Sequence, residues 1–490
     1  MNIELHNSTL LGKLKFLVKD SVIYGGAGAI NKFISLATFP LLTRYFSVQD
    51  YGLIDSYTVL ASLLVTVLIF GQDSAVARYF YEYEDKEQKK EVISQSLLIQ
   101  VITIIFILPI LFFFSKSITE LYVNEPASNS IFLIILFQIP FSLILNFSSN
   151  LLKWTFEKYK FLIITLGASA SYLILTAGSI LFLEITLIDV FKILLISQLI
   201  FSLIGLFFVK KWLKFRFTSN YIRLLLKYGI PYGIICVISM LSPAIDRLFI
   251  SKFLTSETLG LYAVAFKIAL LVNLPIQAFQ TAWGPFYLSL HKEEDIATTY
   301  NEILVLYTIV FFYLFCFISF FSDFGIRLLS GIKYNDASYL VSFLVIVLIF
   351  RSLNSILGIG IDLSKKSYLK IYSYLLYIVC ATISTYFFIQ YFGVIGVCFA
   401  LILSEILKIT VEAYLSFKAY SIKFDFKFMV QIIVLYLISA TIIYVVKYQY
   451  EFSTIYKVII FSLILISPLY HNRIRVLVSK LFLKIKESLS

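Results

Sequence analysis

Apolar runs of about 20 residues recur along the whole chain and constrain its fold more than any other feature. A helix of that length crosses a hydrocarbon core of roughly 30 Å. A water-soluble protein of 490 residues could not bury a composition that is 60% hydrophobic. We therefore predict an all-α polytopic membrane protein with about fourteen transmembrane helices. They are centred approximately on residues 20–43, 53–75, 93–114, 130–152, 161–183, 188–209, 228–250, 259–281, 301–321, 339–360, 370–390, 394–416, 429–446 and 455–470.

The basic residues support this number of spans. With the N-terminus in the cytoplasm, about 28 of the 41 Lys and Arg fall on the cytoplasmic side and about 7 fall outside. A miscounted span would invert this bias further along the chain, so the bias also predicts a cytoplasmic C-terminus. The net charge of +12 then needs no nucleic acid as a partner, because inner-face lysines face anionic membrane lipids.

A short hairpin motif occurs twice, 208 residues apart. Residues 43–52 read TRYFSVQDYG and residues 251–260 read SKFLTSETLG, with hydroxyl, cation, bulky apolar, hydroxyl and glycine at matching places. An even number of predicted spans separates the copies, which predicts two six-helix lobes related by a parallel pseudo-twofold repeat. The predicted domains are an N-terminal lobe (1–209), a basic cytoplasmic linker (210–227), a C-terminal lobe (228–417), and two extra helices with a basic cytoplasmic tail (418–490).

Charged residues inside the apolar runs are the strongest functional signal. Each costs about 2.5–3.5 kcal/mol at mid-membrane, so they must face the bundle interior, a watery cavity or one another. The cations are Lys32, Arg247, Lys267, Arg351 and Lys408, and the acids are Asp246, Glu405 and Glu412.

Two interpretations of these charges are open. Glu405, Lys408 and Glu412 share one helical face and could neutralise each other. Lys32 and Arg351 near mid-span, together with Lys267, have no acid one turn away on their own helices. They are candidates for an internal cationic surface that binds an anionic ligand, and the alternative is an ion pair with another helix. Amide side chains could bind hydroxyl-rich sugars or join helices by hydrogen bonds; they are Asn31, Asn146, Asn150, Asn273, Gln277, Gln280 and Asn354.

Several other chemistries lack the residues that they need. The three histidines lie outside the spans or at a span's end, and the four cysteines have no metal or redox spacing. No GxxxxGK[ST] loop is present for ATP hydrolysis. We expect no catalytic site, metal site or cofactor. Coupling to H⁺ or Na⁺ would then fall to Asp246, Glu405 or Glu412.

Three motifs resemble one known family. Residues 246–253 read DRLFISKF and are followed by LGLY at 259–262 and by Lys267; residues 44–52 end in DYG; residues 283–286 read WGPF. These stretches resemble oligosaccharide flippases of the Wzx type, in the multidrug/oligosaccharidyl-lipid/polysaccharide exporter superfamily. The resemblance covers the whole chain in length and in span number.

The resemblance implies a function. Such a protein moves undecaprenyl-diphosphate-linked oligosaccharide repeat units from the cytoplasmic to the periplasmic leaflet by alternating access, for O-antigen, capsule or exopolysaccharide. Lys32, Arg247, Lys267 and Arg351 would hold the diphosphate or acidic sugars. The expected location is the bacterial cytoplasmic membrane, and a polysaccharide polymerase and a chain-length regulator are expected partners.

Two other functions are considered. A multidrug or cation antiporter of the same fold would favour an acidic, aromatic-lined cavity and usually twelve spans, which the interior cations argue against. A polytopic polymerase, ligase or glycosyltransferase would need a sizeable loop or amphipathic segment that carries acidic catalytic residues, and the longest predicted loops have only about 15–20 residues.

Overall fold

The structure is a computed structural model that describes residues 10–123, 125, 128–214, 219–290, 296–364, 366, 368–420, 422, 424–449, 454–471 and 474–475. Every regular element within these ranges is a helix. The predicted all-α polytopic fold class is therefore confirmed.

The chain divides into two compact units, Met1–Lys252 and Phe253–Ser490. The division falls at the end of the seventh predicted span and not at the predicted linker 210–227. The helices of the first unit are α1 (Leu10–Tyr45), α2 (Val48–Ile69), α3 (Gln72–Glu82), α4 (Lys86–Phe113), α5 (Ser115–Tyr122), α6 (Ser128–Trp154), α7 (Lys158–Phe182), α8 (Leu187–Val209) and α9 (Ser219–Phe253), whose last residue lies across the division. The assignment of residues to two pseudosymmetric lobes stays a prediction.

The second unit contains the remaining helices. They are α10 (Ser256–Ala269), α11 (Asn273–Leu290), α12 (Ile296–Phe320), α13 (Ser322–Leu329), α14 (Ser338–Leu357), α15 (Ile359–Leu363), α16 (Leu369–Tyr420), α17 (Phe426–Tyr444) and α18 (Thr454–Ile466).

Eleven helical stretches of the described chain are long and apolar enough to cross a membrane. One of them, α16, has 52 residues and would be about 78 Å long as a single rod, more than twice the hydrocarbon thickness. Gly393 breaks it with φ +57° and ψ −140°, a conformation that glycine adopts without steric cost. α16 therefore supplies two passes, which correspond to the predicted spans at 370–390 and 394–416.

The repeated motif folds into the same local structure in both places. Ser47 has extended backbone and caps α2, where its hydroxyl accepts a hydrogen bond from the Asp50 N–H at 3.0 Å. Thr255 caps α10 in the same way and accepts from the Thr258 N–H at 3.2 Å. A capping hydroxyl satisfies a backbone donor that the first turn leaves free, which explains why both copies carry one at this position.

Within the first unit, α9 packs closely against the break between α2 and α3. Gly71 has φ +73°, and a Cβ placed there would lie 2.3 Å from the Gly229 carbonyl oxygen and 2.7 Å from the Gly233 nitrogen. Towards the α3 end of this contact, the Arg78 guanidinium lies 4.7 Å from the centre of the Tyr228 ring. The seventh span is therefore held against the second through backbone contacts that only glycine permits.

In the second unit, Lys447 connects the end of α17 to the boundary between α12 and α13. Lys447, just after α17, donates to the carbonyl oxygens of Ser319 and Phe320 at 3.1 Å each and lies 2.8 Å from the Asp323 carboxylate. These carbonyls end α12, where a cation interacts favourably with the helix dipole. Asp323 stands in the first turn of α13, where negative charge is favourable.

Candidate functional site

Between Leu340 and Ile361, helix α14 and the start of α15 reach the surface at a single polar place. From Leu340 to Ile361 every residue is buried except Arg351, Asn354 and Ser355, which are half-buried. We call these three residues the polar window. Arg351 lies about 18 Å along the helix direction from Leu363, the C-terminal end of this span. A polar surface at this depth is not stable against lipid, so the window must face water or a ligand.

An ion-pair network backs the window. The Arg351 Nε donates to Glu405 at 2.6 Å, and its Nη2 donates to the Tyr377 hydroxyl at 2.8 Å. The fully buried Glu405 also accepts from Lys408 at 3.3 Å. Glu405 therefore compensates two cations, and its side chain has no exposure, whereas 30% of the Arg351 side chain remains exposed.

Aromatic and polar groups surround the same place. The Lys408 ammonium lies 4.4 Å from the centre of the half-buried Tyr374 ring. Asn354 donates to the Tyr374 hydroxyl at 3.3 Å. The indole N–H of Trp283 on α11 donates to the Ser355 carbonyl oxygen at 2.8 Å, so Trp283 lies directly against the window.

Further acids and cations continue from this network along α16. Glu412 is fully buried, and neither carboxyl oxygen has a hydrogen-bond partner among the residues that the structure describes. A Cβ at Gly358 would lie 3.0 Å from Glu412 Oε1, so this glycine lets the carboxyl approach the helix break between α14 and α15. Lys370, at the start of α16, forms an ion pair with Asp362 of α15 at 2.7 Å, across the turn between the two helices.

In the first unit, Arg247 is buried and paired. Its Nε and Nη2 donate to one carboxylate oxygen of Asp55 at 3.0 and 2.9 Å, and its Nη1 donates to the Pro243 carbonyl oxygen at 3.3 Å. Asp246 beside it is also buried, at 2% exposure. The ion pair between Arg247 and Asp55 joins α9 to α2.

The predicted site residues are divided between the two units. Arg351, Glu405 and Glu412 lie in or beside the network of the second unit, whereas Asp246 and Arg247 lie in the first. The two remaining cations are both half-buried; Lys32 lies on α1 in the first unit and Lys267 in the last turn of α10 in the second. Their role in binding stays a prediction.

Sequence reasoning missed several partners of the intramembrane cations. Asp55 is a lone acid near the start of the second apolar run, and its isolation there was a usable signal. Tyr374 and Tyr377 stand three residues apart on one helical face, but tyrosines at that spacing are common in membrane helices. Of the three residues that could neutralise each other, Glu405 and Lys408 form an ion pair at 3.3 Å.

The fold defines a polytopic membrane protein that carries ion pairs inside its apolar helices. The solved lipid II flippase MurJ, in an inward closed conformation, has this fold with a TM-score of 0.70 at 17% identity, over 95% of this chain and all of that one. A multidrug resistance MATE family transporter in an inward-facing conformation matches with a TM-score of 0.62 at 16% identity, over 79% of this chain and 93% of that one. A transporter of the same superfamily from Pyrococcus furiosus matches with a TM-score of 0.57 at 18% identity, over 81% and 94%.

Sequence comparison identifies the family. The model of the family described as "Polysaccharide biosynthesis protein" matches residues 17–291, more than half of the chain, so the chain belongs to this family. A Haemophilus influenzae protein of the Lsg locus is 23% identical over 295 residues, 57% of this chain and 67% of its own. An uncharacterized membrane protein of the same organism is 23% identical over 285 residues, with the same coverage. The resemblance to polysaccharide flippases is thereby confirmed.

Proposed function

We propose that this protein flips undecaprenyl-diphosphate-linked oligosaccharide repeat units from the cytoplasmic to the periplasmic leaflet of the bacterial cytoplasmic membrane, by alternating access. The observation that carries the proposal is the polar window, an accessible guanidinium, amide and hydroxyl within residues 340–361, which are otherwise buried. A lipid-linked sugar needs such a surface at membrane depth, because its head group must stay hydrogen-bonded while it crosses the hydrocarbon region. Membership of a polysaccharide biosynthesis family supports this class of cargo.

The interior cations take different roles in this proposal. Lys32 and Lys267 are half-buried ammonium groups, and we assign them to the diphosphate. Arg247 has three of its N–H groups engaged within the first unit, so we assign it to holding α9 in place. Arg351 contacts the cargo at the window.

Glu412 is our preferred residue for coupling transport to H⁺ or Na⁺. Glu405 is engaged by two cations, whereas both oxygens of the buried Glu412 lack hydrogen-bond partners within the described chain. Burial makes the ionised form of this carboxylate costly, and uptake of a proton or binding of a cation would remove that cost. Glu412→Gln should therefore remove the dependence of flipping on the ion gradient.

The test has a cellular and a reconstituted arm. Deleting the gene should trap lipid-linked repeat units on the inner leaflet and abolish surface polysaccharide, and normal polysaccharide in the deletion strain would contradict the proposal. In proteoliposomes that contain lipid-linked oligosaccharide from the host, the protein should increase the fraction of sugar accessible to an external lectin. Lys32→Ala and Lys267→Ala should each slow this movement about tenfold or more, whereas Lys252→Ala, an exposed lysine, serves as the matched control.

The reconstituted arm also separates the proposal from drug export. Cationic dyes should not be transported, because the accessible charged side chain at the window is a cation. A polysaccharide polymerase and a chain-length regulator would act on the flipped product, and their presence should not be needed for movement in proteoliposomes.

A further inference from the structure

We propose that the polar window is a carbohydrate subsite: it binds an uncharged sugar ring of the cargo and not the diphosphate. The residues that we assign to it are Arg351, Asn354, Ser355 and Tyr374. This inference rests on the proposed function, because it divides the cargo between two places in the protein.

The charge behind the window is the first reason. Glu405 is the nearest acid, 2.6 Å from the Arg351 Nε, and it is shared with Lys408. Arg351, Lys408 and Glu405 together carry a net charge of only +1, because Glu405 is bonded to both cations. A diphosphate carries about two negative charges and would be repelled by a carboxylate already bound to its guanidinium. The site is therefore poorly matched to the diphosphate and compatible with a neutral ligand.

The chemistry of the accessible groups is the second reason. Sugar hydroxyls both donate and accept hydrogen bonds, and the window offers an amide, a hydroxyl and a guanidinium within two helical turns. The Ser355 hydroxyl donates to the Ser352 carbonyl oxygen at 2.8 Å, which leaves its lone pairs to accept from a ligand.

The aromatic ring beside the window is the third reason. Tyr374 is half-buried, and its ring is held by Lys408 and its hydroxyl by Asn354. A fixed aromatic surface next to convergent polar groups suits a ligand with both C–H faces and hydroxyl edges. Diphosphate has no such face, whereas every pyranose ring does.

Trp283 provides a direct reporter for this site. Its indole N–H is bonded to the Ser355 carbonyl oxygen, and the chain has only three tryptophans. Replacing Trp154 and Trp212 by Phe leaves Trp283 as the single fluorophore. The full-length protein in nanodiscs would be titrated with three probes: inorganic pyrophosphate, undecaprenyl diphosphate without sugar, and the free oligosaccharide released by mild acid from the host's lipid-linked repeat units.

We expect the free oligosaccharide to shift Trp283 emission in a saturable way, and we expect no shift from pyrophosphate or undecaprenyl diphosphate. Asn354→Ala and Tyr374→Phe should each weaken oligosaccharide binding about fivefold to tenfold, the effect of losing one ligand hydrogen bond. Asn220→Ala, which removes an exposed amide in the first turn of α9, is the matched control and should not change it. Unchanged thermal midpoints would establish that the variants are folded.

Three results would overturn the inference. They are a saturable shift with pyrophosphate or undecaprenyl diphosphate that Arg351→Ala removes, no shift with the oligosaccharide, or oligosaccharide binding that is insensitive to both Asn354→Ala and Tyr374→Phe. The flipping assay separates this outcome from failure of the proposed function. Oligosaccharide binding without lipid-linked transport would reject the function and keep the subsite; transport without oligosaccharide binding would do the reverse.

Discussion

Removing the carboxylate of Asp55 should destabilise the protein strongly, although Asp55 lies far from Arg247 in the chain. The Arg247 side chain has 1% exposure and that of Asp55 has 15%, and the closest N–O distance is 2.9 Å. At an effective dielectric constant of about 20, the attraction at that distance is about 6 kcal/mol. Desolvation of both ions offsets part of it, and loss of one partner from a buried pair costs about 3–5 kcal/mol. We therefore expect Asp55→Asn to lower the unfolding free energy by about 3–5 kcal/mol.

The measurement is unfolding of the purified protein by SDS titration in mixed micelles, followed by tryptophan fluorescence. Asp50→Asn is the matched control on the same helix. Asp50 accepts a hydrogen bond from the exposed Ser47 hydroxyl at 2.7 Å, and losing this capping interaction should cost about 1 kcal/mol or less. The double variant Asp55→Asn/Arg247→Met should recover much of the loss, because no buried charge is then left without its partner.

Two results would refute this reasoning. If Asp55→Asn cost no more than Asp50→Asn, the pair would not contribute to folding. If the double variant were as unstable as the sum of its single variants, the two residues would act independently. Either result would return Arg247 to the candidates for cargo binding.

Two further predictions concern the break between α2 and α3 and the ion pair between Lys447 and Asp323. Gly71→Ala should lower the free energy of unfolding by about 2–5 kcal/mol, because φ is +73° and a Cβ would lie 2.3 Å from the Gly229 carbonyl oxygen. Gly178→Ala is the control and should be neutral or slightly stabilising, because nothing lies within 4 Å of a Cβ there. Equal thermal midpoints for the two variants would contradict the close packing at Gly71. Burial raises the pKa of Asp323, but the charge and hydrogen bond of Lys447 outweigh burial and hold that pKa below its usual value. The stabilisation by Asp323 is therefore present above the unfolded pKa of about 3.9 and is lost as the pH falls below it; thermal midpoints between pH 7 and pH 3 should fall less steeply for Asp323→Asn than for the parent, and parallel curves would exclude this contribution.

The sequence predicts the membrane architecture well because the length and hydrophobicity of each span are properties of its own residues. A run of about 20 apolar residues must cross the bilayer whatever its neighbours are, so the break at Gly393 between two passes was already implied by the length of the apolar stretch. The hydroxyls of Ser47 and Thr255 were visible as a repeat before their capping role was known. These features depend on contacts within a few residues of the chain.

The partners of the intramembrane charges could not be predicted in the same way. Arg351 meets Glu405 from 54 positions away, and Arg247 meets Asp55 from 192 positions away. Helical spacing places Glu405 and Lys408 on one face, but it does not say which face of another helix they meet. Which arginine stays accessible depends on that packing.

The two arginines show why pairing alone does not determine the role of an intramembrane charge. Both are bonded to an acid at 2.6–3.0 Å, so the cost of burying each charge is already offset. Arg247 has 1% exposure, and no ligand can reach it without separating α9 from α2. Arg351 keeps 30% of its side chain exposed beside an amide and a tyrosine, so a ligand can bind there while the ion pair with Glu405 remains intact. The Arg351 guanidinium is neutralised by Glu405 on its buried side and is partly exposed on the other, so it favours ligands that bring hydrogen bonds and no charge. This is the physical basis for assigning the window to the sugar and Lys32 and Lys267 to the diphosphate.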